Sequence, residues 1–259
     1  SNPNLRVMTG VHATQLQFDG ARVVGVQARD EAGRALAFRA RGEVIVSAGA
    51  IASPKLLMLS GIGPREHLQA LGIDVRVDAP QVGENFQDHL SASVYAQTRE
   101  PASLLGHDRG LRALGHGLKY LATRRGLLSS NVVESGAFVD ATGCGRPDVQ
   151  FHVVPALVGD IDRLPPAGHG ISVNPCALRP RSRGRLRLKS ADPLADVALT
   201  ANYLSHPEDM RTLVAGIKLA RKILRAPALA GVVERMLMLP EHDDVPDSVF
   251  EDYVRTVAK

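Results

Sequence analysis

No tryptophan occurs in this sequence, and aromatic residues of all kinds make up only 4% of its 259 positions. An aromatic cage for a quaternary ammonium group therefore lacks its best wall, and a nucleic-acid groove lacks the rings on which bases stack. Cysteine is scarce too. Cys144 and Cys176 stand alone, without C-x-x-C or Cys/His ligand spacing, so reduced thiols in a cytoplasmic protein are expected, with neither a disulfide nor a metal site. No apolar run reaches the ~20 residues that span a bilayer, and no charged-then-apolar leader is present. Neither a membrane span nor secretion is expected. A G-x-G-x-x-G turn, which would cradle a dinucleotide's pyrophosphate at a helix N-terminus, is also missing. The nearest glycine pattern, Gly61-Ile62-Gly63-Pro64, ends in a proline that removes one of the amides a phosphate would need.

What remains is ordinary globular composition. With 44% hydrophobic and 22% charged residues, the chain can bury a sizeable core in one large domain or two smaller ones. The net charge of +4 is modest, and much of the excess lies in Arg179 to Lys189, where six cations fall within eleven residues. Leu186 and Leu188 alternate there with Arg185, Arg187 and Lys189, the pattern of a strand with an apolar inner face and a basic outer one. That alternation, with no aromatic residue between the cations, argues against a nucleic-acid partner.

The stretch from Val44 to Gly63 is the most organised part of the chain. Glu43 to Ser47 reads as a strand buried on both faces. Ser47, Ala48, Gly49 and Ala50 form a turn with almost no side-chain bulk, against which a ligand can lie close to the backbone. Ser53 and Pro54 suit the first turn of a helix over Lys55 to Ser60, which Gly61 stops. By spacing alone this is also an ordinary β-turn-α joint.

Around it, Asn4 to Met8 reads as a strand. Ala13 to Phe18 and Val23 to Ala28 read as a hairpin across Asp19-Gly20, Leu36 to Arg41 as a further strand, Pro64 to Ala70 as a short helix and Ile73 to Val77 as a strand. Composition changes near Leu90. Leu111, Leu114, Leu118 and Leu121 then recur at helical spacing and predict a helix packed on a new domain. Asp148 to Val154, Ile171 to Ala177 and Gly184 to Leu188 read as strands. Ser205 to Glu208 predicts a capping box opening a long helix that ends before Pro227, and Val245 to Thr256 a last helix. The domain reading is 1–89, 90–204, and 205–259 as helices returning toward the first part.

Gly49, Ala50, Ser53, Pro54, Leu56, Leu57, Ser60, Gly61 and Gly63 follow the order G-A-x-x-S-P-x-L-L-x-x-S-G-x-G, which resembles the second signature of the glucose-methanol-choline (GMC) oxidoreductases. Val82 to His89, VGENFQDH, resembles that family's V-G-x-N-L-Q-D-H box, with Phe86 for leucine. Ser129-Ser130-Asn131 with Glu134 to Val139 and the turn at Arg181 to Leu188 resemble later family segments. The resemblance implies an α+β chain: an incomplete FAD-binding domain followed by an antiparallel-sheet substrate domain with packed helices. It implies FAD as cofactor, with Ala13, Ser47, Ala48 and Gly49 against its adenine side. A small-molecule alcohol is the implied substrate, oxidised to an aldehyde by hydride transfer to flavin. His152 falls where choline-oxidising members place a histidine against the substrate oxygen, although a histidine on such a strand also serves as a core residue. Ser91 stands where choline-handling members carry a glutamate, so a neutral alcohol is expected.

The family's diphosphate turn and its proton-abstracting histidine, in an H-P-x-G-T-type segment, find no match. No catalytic base is therefore assigned. Two neighbouring residues, Asp88 and His89, form no base dyad by this reading, since neighbours in sequence point apart. The expectation is a fragment inactive alone, with self-association through exposed flavin-domain surface. The alternative is a non-catalytic binding module that retains the substrate-domain sheet.

Overall fold

The computed structural model describes residues 2–99, 103–133, 135–158, 166–242 and 244–258. They form two compact units, one of 1–87 with 183–203, the other of 88–182 with 204–259. Glu134, part of one family-like segment, lies outside the described residues. No helix among the described residues is long and apolar enough to cross a membrane.

In chain order the elements are β1 (Val11–Asp19), β2 (Arg22–Asp30), β3 (Ala35–Arg39), α1 (Gly49–Leu59), β4 (Ile62–Gly63), α2 (Arg65–Ala70) and β5 (Val77–Asp78). Then come β6 (Val94–Thr98), α3 (Gly110–Thr123), β7 (Ser135–Val139), β8 (Val149–Val154) and β9 (Gly170–Ala177). The last are β10 (Arg185–Leu188), β11 (Val197–Thr200), α4 (Pro207–Leu224), β12 (Val233–Leu237) and α5 (Asp247–Val257).

In the first unit, β1, β2 and β3 form an antiparallel meander. The expected hairpin is present. Its two-residue loop is Gly20-Ala21, and Gly20 takes a φ of 54°; positive φ at the first loop position is the form whose twist matches the flanking strands. Met58, Leu59 and Leu68 pack with Leu186 and Leu188 into a small core. The basic-out strand β10, which the sequence reading grouped with the later segment, thus buries its leucines in this unit and pairs with β11. Gly61 ends α1 at a φ of 83°, and a Cβ there would stand 2.4 Å from the Asp74 carbonyl oxygen, so only glycine fits.

Four local expectations fail in this unit, one of them the strand expected over 73–77, of which only Val77 pairs, in the two-residue β5. Residues 4–8 and 43–47 join no ladder among the described residues, so neither is a strand. Ile45 is 78% exposed, far from a position buried on both faces. The helix also starts earlier than its apparent cap, at Gly49. Ser53 instead turns its Oγ back to accept from the Ala48 N–H at 3.0 Å.

The second unit is built on a five-stranded antiparallel sheet of order β12-β6-β9-β8-β7. One face carries Val94, Ala96, Val149, Phe151, Val173 and Ala177, which pack with Leu213, Ile217 and Leu224 of α4 and Phe250 and Val254 of α5. Fully burying an aliphatic side chain contributes about 1.5–3 kcal/mol, so this core dominates the unit. Gly216 lets α4 lie close to the strands: a Cβ there would stand 2.8 Å from Pro175 Cβ and 3.3 Å from Val149 Cγ1.

The long helix α4 opens differently from the expected box. Its cap is His206, whose Nδ1 accepts from the Glu208 N–H at 3.2 Å, with Pro207 in the first turn. Asp209 is buried, and its two oxygens accept the backbone N–H groups of Arg181 and Ser182 at 2.7 and 2.8 Å. The helix α3 forms at its predicted place, but it buries no residue. Leu111, Leu114, Leu118 and Leu121 are 59% to 86% exposed, so the expected packing of this stripe is not found among the described residues.

Candidate functional site

Residues directly paired in a sheet share a face, and the second face of this one is polar. The β7–β8 and β8–β9 registers set Gly136, His152 and Asn174 in one row. The pairing of β6 with β9 and the bridge from Ser91 to Cys176 bracket the next position, so Ser93 continues that row beside Asn174. The neighbouring row runs Phe138, Gln150, Cys176, Ser91. His152, Asn174, Gln150, Ser91 and Ser93 are all half-buried. At one end of this face Ser172 donates its Oγ to the Ala156 carbonyl at 2.6 Å, and Tyr95 its hydroxyl to that of Val158 at 3.1 Å, so the segment after β8 folds over the strand ends.

The strand positions in these two rows carry no charge except what His152 itself can take up. Gly136 leaves the flank of His152 without a side chain, and a Cβ there would meet the Phe151 carbonyl oxygen at 2.7 Å. Asn174 Oδ1 is buried and has no hydrogen-bond partner. An orphaned acceptor of this kind costs about 1–3 kcal/mol, and it lies directly across the ladder from the histidine that sequence reasoning singled out. Sequence reasoning missed Asn174 and Ser93. A signal was available: Ser172, Asn174 and Cys176 alternate with Val173 and Pro175, the pattern of a strand with one polar face.

Asp88 and His89 form no dyad. Asp88 Oδ1 accepts from the His89 backbone N–H at 2.8 Å, and the His89 ring meets the Leu178 carbonyl at 3.1 Å. Cys176 is no nucleophile. Burial and then the negative charge of Asp88 push its thiol up to about 11, which leaves almost no thiolate at neutral pH. Asp140, Cys144 and Asp148 bring ligand atoms within 4.8 Å of one another. The carboxylates accept backbone N–H groups of Cys144, Gly145 and Ala141 at 2.7 to 2.8 Å, which makes the group a turn clamp.

The residues expected at the cofactor's adenine side lie in the first unit. Ala13 is exposed and sits at a register shift in β1. Ser47, Ala48 and Gly49 are exposed at the start of α1, Gly49 has a φ of 85°, and nothing lies within 4 Å of where its Cβ would be. This bare backbone fits a flat heterocycle lying against it. No hydrogen bond among the described residues links Ala13 to the Ser47–Gly49 turn. A cleft of about 720 Å³ in the same unit, lined by Gln15, Gln27, Arg29, Ser60, Asp74 and Arg76, includes none of the four.

A three-stranded meander with its short helices and a five-stranded antiparallel sheet backed by two helices make up the architecture to be compared. Residues 1–91 match the N-terminal and residues 180–258 the C-terminal model of GMC oxidoreductases, and the chain belongs to that family. It is 40% identical over 242 residues to the alcohol dehydrogenase [acceptor] of Pseudomonas putida, covering 91% of this chain and 43% of the relative. It is 42% identical over 227 residues to the oxygen-dependent choline dehydrogenase of Staphylococcus saprophyticus, covering 87% and 40%. A formate oxidase structure from Aspergillus oryzae, described for its FAD modification, superposes with a TM-score of 0.88 at 25% identity over 99% of this chain and 50% of that one. The chain thus spans less than half the length of the curated relatives it matches.

Proposed function

We propose that this chain supplies the alcohol-facing sheet and the adenine-side wall of an FAD-dependent oxidoreductase that converts a primary alcohol to an aldehyde. The reading is carried by the row of His152, Asn174 and Ser93, half-buried and with no charged neighbour on its strands, flanked by the exposed Gly136. Ser91 takes the same face, at the place where a cation-binding carboxylate would serve a choline substrate. Asp88, whose charge reaches Cys176, already accepts from the His89 N–H. A neutral alcohol suits this row better than a quaternary ammonium, which needs a carboxylate or an aromatic cage.

FAD, when bound, accepts the hydride lost from the alcohol carbon. Ala13, Ser47, Ala48 and Gly49 hold its adenine side, and His152 faces the alcohol oxygen. The exposed Leu5, Val7 and Ile45, at 67%, 74% and 78%, support self-association through the first unit. The free thiols Cys144 and Cys176 support a cytoplasmic site of action.

The test is a titration with 1-butanol read at the His152 ring by NMR. A saturable shift at His152, absent with choline, supports the reading. A ring unmoved by the alcohol, or one moved more strongly by choline, rejects it.

A further inference from the structure

We propose that Asn174 is the positioning residue of His152, its Oδ1 accepting one imidazole N–H so that the ring's other nitrogen is held bare toward the alcohol hydroxyl. The proposal rests on the reading of His152 as the alcohol-facing residue and adds what fixes its tautomer.

Three observations lead to it. His152 and Asn174 are directly opposed in the β8–β9 register, a relationship that sets Cβ atoms about 4.5–5.5 Å apart. That is within reach of a hydrogen bond between a histidine ring and an asparagine amide after small torsional changes. Asn174 Oδ1 is buried with no partner. No hydrogen bond engages the His152 ring among the described residues. One element therefore holds an acceptor without a donor, and the adjoining element holds a donor of ring N–H type without an acceptor. Buried polar atoms in native proteins are nearly always paired, and hydrogen bonds in catalytic sites are often loose until the site is filled. Gly136, on the other side of His152, offers no side chain to compete.

The chemical consequence follows from the imidazole itself. A neutral ring has one N–H and one bare nitrogen. If Asn174 Oδ1 takes the N–H, the nitrogen left for substrate is an acceptor, and it receives the alcohol's O–H. If instead the N–H faced the substrate, His152 would donate to the alcohol oxygen and leave the hydroxyl proton to another acceptor. Asn174 thus decides whether His152 accepts from or donates to the alcohol.

The experiment is ring ¹⁵N NMR of His152 in the whole chain at pH 8, with the signals assigned by their loss in His152→Gln. The expected wild-type result is one dominant tautomer, its protonated nitrogen protected from exchange. Asn174→Leu is expected to return the ring to the mixture of a free imidazole and to weaken 1-butanol binding about five- to tenfold, the scale of one lost hydrogen bond. Asn174→Asp, which keeps an acceptor oxygen, is expected to retain the single tautomer. A free-imidazole mixture already in the wild type overturns the proposal without recourse to any variant. So does an unchanged tautomer in Asn174→Leu, even where 1-butanol still shifts the His152 ring and the alcohol reading stands. A single Asn174-dependent tautomer with no response to 1-butanol supports the pairing of the two residues and rejects the alcohol reading alone.

Discussion

His152 and Asn174 stand directly opposite each other on β8 and β9, on the sheet face turned away from α4, and share no hydrogen bond. Their row lies on strands whose other face is core, and side chains set on such a scaffold keep their geometry better than side chains on loops.

Asp209 ties the start of α4 to the segment before β10. Burial pushes its carboxyl up, but the N–H groups of Arg181 and Ser182 and the Ser182 side chain outweigh this and hold it below the usual carboxylate range. A depressed carboxylate contributes stability above its unfolded pKa of about 3.9 and loses it as pH falls through the folded value. Asp209→Ala is expected to cost about 2–3 kcal/mol at pH 7, because the buried Ser182 N–H and the part-buried Arg181 N–H lose a charged acceptor. Urea unfolding at pH 7 and pH 3 checks this: the gap between wild type and variant should narrow at the lower pH.

His67 makes the first unit sensitive to mild acid. Its Nε2 accepts from the Leu188 N–H at 3.1 Å, which requires the neutral ring. Burial, and then the nearby Arg187 guanidinium, lower its pKa. The contribution of His67 is full above the unfolded value of about 6.5 and is lost as pH falls through the lowered folded one. Thermal melts from pH 7.5 to 5 should show the first unit losing stability, and His67→Gln should flatten that dependence. Equal slopes in the two proteins would exclude the ring as its source.

Ile45 tests the proposed self-association. Its side chain is 78% exposed on a segment that joins no ladder among the described residues, an apolar surface suited to association. Sedimentation should show concentration-dependent association of the wild type, shifted at least severalfold toward monomer in Ile45→Asp. Identical profiles would move the association elsewhere or remove it.

These features differ in how far the sequence discloses them. The hairpin at Gly20, the stop at Gly61 and the apolar face of α4 are local events set by φ or period, and all were legible. The stripe of α3 was equally legible as a helix, yet Leu111 and Leu118 lie exposed, since periodicity reports a face and not what covers it. Residues 43–47 have the composition of a buried strand, but a strand exists only with a partner, and none pairs there among the described residues. Ser205 had the right spacing for a cap, but the His206 ring took the role. His152 was found through resemblance. Asn174 was hidden because its meaning depends on register: only the pairing of β8 with β9 sets it beside the histidine.

The most direct test of the central claim is a titration of the chain with FAD, following flavin fluorescence and thermal midpoint together. The account predicts saturable binding with a rise in midpoint, weakened by Gly49→Val at the bare turn. A midpoint and fluorescence unchanged at saturating FAD would contradict the assignment of Ala13, Ser47, Ala48 and Gly49 as a sufficient cofactor wall.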